Sequence, residues 1–368
     1  MTTERDLQTF ATPQSVANEF KKRGLPDNFC HVPFSTLILE PDGHLGSCRN
    51  KGTEFVVGDL QTQTLEEVWN GPVMRQWRRE FLDGQPVICK TEVRHMGCHL
   101  CPRYNSLLPK VVPEEIQSRP PIRLALNLNG RCNLECQMCH IWQMPNGFYD
   151  RAGLWGQIER FIEFIQEVEL LSGEPFIQKD TYRLIDLISR KNPECRWVIT
   201  TNGHWRLNDH IRAQLDRIRL RDLIMSIDSL NPDTYAKIRK KGDLSIVLAN
   251  LDSLIEYDQD RLRRGLGSLN LRITFLIQRD NWRELGEFHE FAKAKKLEIF
   301  RTFLYEPEDL SLLTLPVIER EQILETYVNE LSREQLLHSR RTVLPLLDSL
   351  PVISRARLLM KMRDKLFH

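Results

Sequence analysis

The sequence predicts an α/β protein: a partial, open (β/α)6 barrel, preceded by a small cysteine-rich module and followed by a helical segment. Three observations lead there. Short apolar runs alternate with longer amphipathic stretches between residues 122 and 306. A polar or glycine-rich segment directly follows each of the first three runs and closes the fourth. All cysteines but Cys195 fall before His140, in two clusters.

The elements follow in order. The apolar runs are IRLALNL (122–128), VELL (168–171), RWVITT (196–201), LIMSI (223–227), LNLRITFLI (269–277) and EIFRTFLY (298–305). Between them lie helical patterns such as GQIERFIEFIQ and TYRLIDLISRK. In WRELGEFHEFAKAKK, Trp282, Leu285, Phe288 and Ala292 share one face, with Asn281 expected as the cap. Short strands alternating with helices indicate parallel βα units with right-handed crossovers. Six strands fall short of the eight that close a full TIM barrel, so a partial, TIM-like barrel is expected.

The first third reads differently. Between Cys30 and Cys48, the stretch HVPFSTLILEPDGHLGS predicts a hairpin turning at PDG, which brings the two cysteines close. TLEEVWNGPVMRQWRREFLDG is helical in character, and Cys89 and then CHLC (Cys98 to Cys101) follow it. A C-x2-C pair joined to two distant cysteines is a metal-site arrangement that suits zinc or an iron–sulfur cluster. Residues 104–121 carry four prolines without an apolar period and read as a linker. The expected organisation is an extension (1–27), the cysteine-rich module (28–103), the linker (104–121), the barrel (122–306) and a helical C-terminal segment (307–368).

Bulk properties narrow the function classes. The hydrophobic fraction of 41% is that of a globular protein, and a net charge of +1 argues against dependence on bulk nucleic acid. No run is long enough to span a bilayer, and the start carries no signal-peptide core, so no membrane and a cytoplasmic location are expected. Nine cysteines in a reducing compartment point to metal or redox chemistry rather than disulfides. Cys195, ahead of the third strand, reads as a buried structural thiol.

The chemistry concentrates in NGRCNLECQMCHIW (129–142), where Cys132, Cys136 and Cys139 form C-x3-C-x2-C. Three thiolates leave one iron of a four-iron cube without a protein ligand, and an open position is where a substrate or cofactor coordinates. The alternative from the residues alone is a zinc site completed by His140. In βα barrels the C-terminal strand ends carry the chemistry, so this loop, SGEP, TNG and SIDS are expected to converge there.

RCNLECQMC resembles the signature loop of radical S-adenosylmethionine (SAM) enzymes, and the companion segments occur in the family's order. Ser172, Gly173, Glu174 and Pro175 resemble its Gly-Gly-Glu-Pro segment, with Ser replacing the first Gly. TNG (Thr201 to Gly203) and SID (Ser226 to Asp228) are similar to segments that line the SAM site. Met138 stands where an aromatic residue often packs near the adenine. The resemblance implies a [4Fe–4S] cluster on Cys132, Cys136 and Cys139, which become the catalytic ligands. It also implies SAM held by Met138, His140, Ser172, Gly173, Glu174, Thr201, Asn202, Ser226 and Asp228. Glu174 is expected at the methionine amino group. Reductive cleavage of SAM would then give a 5′-deoxyadenosyl radical that abstracts hydrogen from a substrate.

The N-terminal module resembles the SPASM/twitch auxiliary-cluster module of the same enzymes. Gly43 and Cys48 match G-x4-C, LEEVWN with MRQW resembles its helix, and CHLC its closing pair. That module usually follows the barrel, whereas here it precedes it. The resemblance implies a second, auxiliary [4Fe–4S] cluster on Cys30, Cys48, Cys98 and Cys101. Cys89 is left over: it displaces one of the four, stays a free thiol, or is simply buried, and it is not expected to be the hydrogen donor to substrate. The partners implied are a peptide or small-molecule substrate and an external electron donor such as flavodoxin or ferredoxin. The peptide would be oxidised or crosslinked; epimerisation of a peptide and dehydrogenation of a small alcohol are the alternatives. A non-enzymatic zinc or iron–sulfur interaction protein is the reading from another class. It leaves the glycine, glutamate and asparagine segments after successive strands without explanation.

Overall fold

The structure is a computed structural model, and it describes residues 12–52, 55–89 and 104–367. The chain divides into two compact units. One comprises Met1–Arg131, Gln143–Ile199 and His210–Arg221; the other comprises Cys132–Trp142, Thr200–Asp209 and Asp222–His368.

The first unit carries six hydrogen-bonded strands. Its parallel part is β1 (Thr36–Leu39), β4 (Arg123–Leu126), β6 (Glu167–Leu170) and β7 (Arg196–Thr201). β2 (His44–Gly46) and β3 (Gly58–Asp59) extend it antiparallel at the β1 edge. The hairpin expected at PDG is thus β1–β2, with Gly43 at φ +92° and a Cβ there only 2.1 Å from the Phe148 ring. The sequence did not reveal that β1 also runs parallel to β4, with Leu39 opposite Leu126. β1 is buried at all four positions, as a strand covered on both faces should be.

The helical stretch after the hairpin forms two helices, α2 (Leu65–Trp69) and α3 (Pro72–Leu82). The break follows from Gly71 and Pro72, since proline suits the first turn of a new helix. Thr64 and Glu67 close a capping box on α2. Arg78 of α3 is fully buried and donates to the carbonyls of Pro33, Trp69 and Glu115. With Asn70, whose side chain holds Gln117 at both backbone N–H and carbonyl, it fastens the proline-rich stretch 104–121. That stretch opens as a 3-10 helix over Tyr104–Lys110 with Leu107 and Leu108 buried.

The second unit carries β8 (Arg219–Ser226, from Asp222 onward), β10 (Leu271–Ile277) and β11 (Glu298–Phe303), all parallel. With β4, β6 and β7 these are the six strands expected, in the expected order. Amphipathic helices separate them: α4 (Leu154–Ile162), α5 (Lys179–Lys191), α6 (Asp209–Leu215), α7 (Pro232–Ile238), α8 (Leu244–Arg263) and α9 (Leu285–Lys295). The C-terminal segment is helical as expected, as α10 (Val317–Glu330), α11 (Arg333–His338), α12 (Arg340–Asp348) and α13 (Val352–Phe367).

Asn281 corrects one expectation. Its side chain makes no capping bond to the helix that follows. It accepts from the Gln278 N–H and donates to the carbonyls of Asp228 and Leu276. A residue that reads as a helix cap instead ties the loop after β8. Among the described residues no helix is long and apolar enough to cross a membrane.

Candidate active site

In the second unit, the three-cysteine loop is organised around its sulfurs. Cys132, Cys136 and Cys139 are not in disulfides. The Leu134 N–H approaches the Cys132 sulfur at 3.4 Å, and the Asn202 amide approaches it at 3.6 Å. Asn202 also donates to Asn133 at 2.8 Å, so TNG and the loop lock together. The Thr201 hydroxyl oxygen accepts from the Gly203 N–H and the Trp205 indole.

Cys136 lies on β5 (Glu135–Cys136), which pairs antiparallel with β9 (Arg239–Lys240) so that Cys136 stands opposite Arg239. The Arg239 guanidinium reaches the Cys136 sulfur at 3.7 Å and the Asp228 carboxylate at 2.5 Å. Asp228, buried and at φ +64°, accepts in addition from the Leu276 N–H at 2.9 Å. Its carboxylate therefore serves Arg239 and β10. Burial pushes the Cys136 thiol up, and the neighbouring guanidinium opposes that shift. Burial also works against the charge on Arg239, but Asp228, Cys136 and Tyr235 outweigh it and its pKa lies above the ordinary value. Met138 and Ser226 are half-buried and His140 is exposed.

In the first unit, SGEP packs against the residues that lead into the loop. The Ser172 hydroxyl donates to the Asn129 carbonyl at 2.8 Å, and the Glu174 N–H to that of Arg131 at 2.9 Å. The Gln178 amide donates to the carbonyls of Arg131 and Ser172. Gly173 sits at φ +58°, where a Cβ would lie 2.2 Å from the Arg131 oxygen. Glu174 is fully buried and accepts from the Phe176 N–H at 3.1 Å. Burial, and then the Glu174 carboxylate, push the Tyr182 hydroxyl up to about 12.

Gly173 yields a test. Gly173→Ala must move backbone at Arg131, the residue before Cys132, and the left-handed conformation adds about 1–2 kcal/mol of its own. The expected result is a lower melting temperature with reduced iron incorporation, checked by calorimetry and iron assay. Unchanged values for both would show that the backbone relaxes without consequence.

The auxiliary module is described in part. Cys30 and Cys48 are buried, as is Cys89, whose sulfur accepts the Trp77 indole N–H at 3.1 Å. Cys98 and Cys101 lie outside the described residues. Cys195 is buried, and burial pushes its thiol up to about 12, which makes it a poor nucleophile.

Among the described residues, no three His, Cys, Asp or Glu side chains converge on a point that would hold a single metal ion. A four-iron cube offers a separate iron to each thiolate, so its ligands need no common point. Three cysteines on one polar loop, with N–H donors at two of the sulfurs, fit that group. Sequence reading missed Arg239, Gln178 and Asn129. Arg239 sits in YAKIRKKGD, a charge run that reads as a solvated face, and only its strand pairing places it beside Cys136. Gln178 and Asn129 flank recognised segments without a spacing of their own.

Comparison with known proteins agrees with this site. Residues 126–292 match the radical SAM superfamily, and residues 30–102 match the SPASM iron–sulfur cluster-binding domain. The chain thus carries a match to the radical SAM superfamily, with a match to the SPASM domain ahead of it in sequence. The GTP 3',8-cyclase of Nautilia profundicola is 28% identical over 191 residues, covering 48% of this chain and 54% of that protein. A probable GTP 3',8-cyclase of Methanothermobacter thermautotrophicus is 28% identical over 188 residues, covering 50% and 57%. The chain spans about half the length of these curated relatives. Among solved structures, Streptococcus suis SuiB bound to S-adenosylmethionine is 15% identical, with a TM-score of 0.44 over 80% of this chain and 69% of that one.

Proposed function

We propose that this protein is a cytoplasmic radical SAM enzyme that oxidises or crosslinks a peptide, using a SAM-binding [4Fe–4S] cluster and an auxiliary one. The observation that carries the first part is the three-cysteine loop, where the Cys132 sulfur receives N–H donors from Leu134 and Asn202 and the Cys136 sulfur one from Arg239. When bound, the cluster supplies one electron that cleaves SAM to methionine and a 5′-deoxyadenosyl radical.

The chain's own residues have separate tasks. Cys132, Cys136 and Cys139 would hold three irons of the cluster and leave the fourth for the methionine end of SAM. Asn202 orients Cys132 through its amide. Gln178 and Ser172 fix the backbone carbonyls of Asn129 and Arg131, the residues just before the loop in sequence. Glu174, buried and acidic, supplies a negative charge for the methionine ammonium. An external donor such as flavodoxin or ferredoxin would supply the electron.

The SPASM domain supports a peptide substrate and an oxidative outcome, since such modules accompany peptide-modifying members and give the substrate electron an acceptor. Cys30, Cys48, Cys98 and Cys101 would hold the auxiliary cluster. Cys89, engaged by Trp77, is not needed as a hydrogen donor to the substrate. A nucleotide substrate is the second reading, favoured by the GTP 3',8-cyclase relatives.

Reduced anaerobic enzyme with SAM is expected to release 5′-deoxyadenosine, and a candidate precursor peptide encoded beside the gene should stimulate release where GTP does not. Stimulation by GTP alone would favour the second reading. Solvent deuterium at a peptide Cα, lost in Cys89→Ala, would replace oxidation by epimerisation.

A further inference from the structure

We infer that Arg239 is a positioning residue that sets the reduction potential of the SAM-binding cluster through the Cys136 sulfur, with Asp228 as its counterweight. The inference rests on the proposed cluster at Cys132, Cys136 and Cys139 and concerns how the chain tunes it.

Three observations combine. Arg239 is directly opposite Cys136 in the β5–β9 pair, and the Gln137 N–H to Ile238 carbonyl bond at 2.9 Å fixes the register beside it. Its guanidinium divides between the sulfur at 3.7 Å and Asp228 at 2.5 Å. All three residues are buried, Arg239 at 7%, Asp228 at 0% and Cys136 at 9% exposure. Asp228 in turn cannot swing away, because the Leu276 N–H and the Thr274 hydroxyl hold its carboxylate and Asn281 holds its carbonyl. The positive charge beside the sulfur is therefore fixed in place and poorly screened.

A buried ion pair is a weak source of stability, because desolvation offsets most of the attraction. Its effect on a neighbouring redox group is large for the same reason, since little water lies between to damp it. Hydrogen bonds to cluster sulfurs, net charge and exposure set iron–sulfur potentials. Reduction adds one negative charge to the cluster. Arg239 favours that state and Asp228 disfavours it, so the two residues push the potential in opposite directions.

The test is an EPR-monitored redox titration of the anaerobically reconstituted full chain, following the cluster signal that responds to SAM. Arg239→Gln should lower the potential, making reduction at a fixed donor potential at least tenfold less favourable, about 59 mV for one electron. Arg239→Lys should recover most of that shift. Asp228→Asn, which keeps a residue tolerant of positive φ, should raise the potential. Shifts of the same sign in Arg239→Gln and Asp228→Asn would mean general loosening and overturn the inference. An unmoved potential with weakened SAM binding would make Arg239 a SAM ligand and overturn it equally. If Arg239→Gln fails to fold, a near-native Arg239→Lys with a raised Asp228→Asn supports the inference, and an unmoved Asp228→Asn overturns it. Wild-type protein with no SAM-responsive signal would refute the proposed function itself, a failure distinct from any shift among variants.

Discussion

Anaerobically reconstituted wild-type protein should contain about eight irons per chain, and the variant with Cys132, Cys136 and Cys139 all replaced by Ala about four, since each cube carries four. The same variant should release no 5′-deoxyadenosine above background. The loss is confined to one cluster because the loop does not depend on its sulfurs for its fold. β5 is paired to β9 through backbone bonds, and the Gln137 side chain donates to Gln278 and Asp280. The Asn202–Asn133 and Asn133–His204 contacts hold the other end. The remaining four irons belong to the N-terminal module, whose expected ligands stand elsewhere in the chain. Iron and sulfide assays with zinc analysis check this. Four irons plus one zinc in the wild type would remove the auxiliary cluster from the assignment.

Glu174→Gln should weaken SAM binding while leaving cluster content unchanged. A carboxylate facing an ammonium group is a charge-assisted contact worth about 1.5–3 kcal/mol, roughly a ten- to 150-fold rise in Kd. The change is conservative for the fold, because a glutamine oxygen can still accept the Phe176 N–H that Glu174 accepts now. Stability and SAM affinity are therefore separable at this residue. Equilibrium binding of SAM, measured beside the iron content and melting temperature, reads all three. An unchanged Kd would detach Glu174 from the cofactor and leave it as a cap on the 3-10 turn over Pro175–Ile177.

Much of this was legible in the sequence. All six parallel strands were, because each is a short apolar run bounded by polar or glycine-rich punctuation; β7 occupies the expected 196–201 to the residue. β8 begins at Arg219, four residues before its apolar run, because the charged residues Arg219, Arg221 and Asp222 interrupt the pattern. The two-residue strands β5 and β9 were invisible, since no periodicity exists over two residues. β1 was recognised as half of a hairpin, but its parallel partner β4 lies more than eighty residues on. Spacing within a hairpin carries no trace of that pairing.

The site divides in the same way. The cysteines and the companion segments were readable because their chemistry is written as fixed local spacings. What holds them was not. Arg239 reaches Cys136 across more than a hundred residues, and Asn281 reads as a helix cap until its amide is found on Asp228. The Asp228 carboxylate is bound to Arg239 and the β10 backbone. Tertiary hydrogen bonds of this kind leave no local signature.

In the proposed site three thiolates leave one iron open for SAM. Electron–nuclear double resonance on the reduced enzyme with SAM labelled by nitrogen-15 at its methionine amine tests it most directly. The expected result is a hyperfine coupling from that nitrogen in wild-type protein, absent when Cys132, Cys136 and Cys139 are replaced. A reduced cluster whose spectrum shows no coupling and does not change on adding saturating SAM would contradict it.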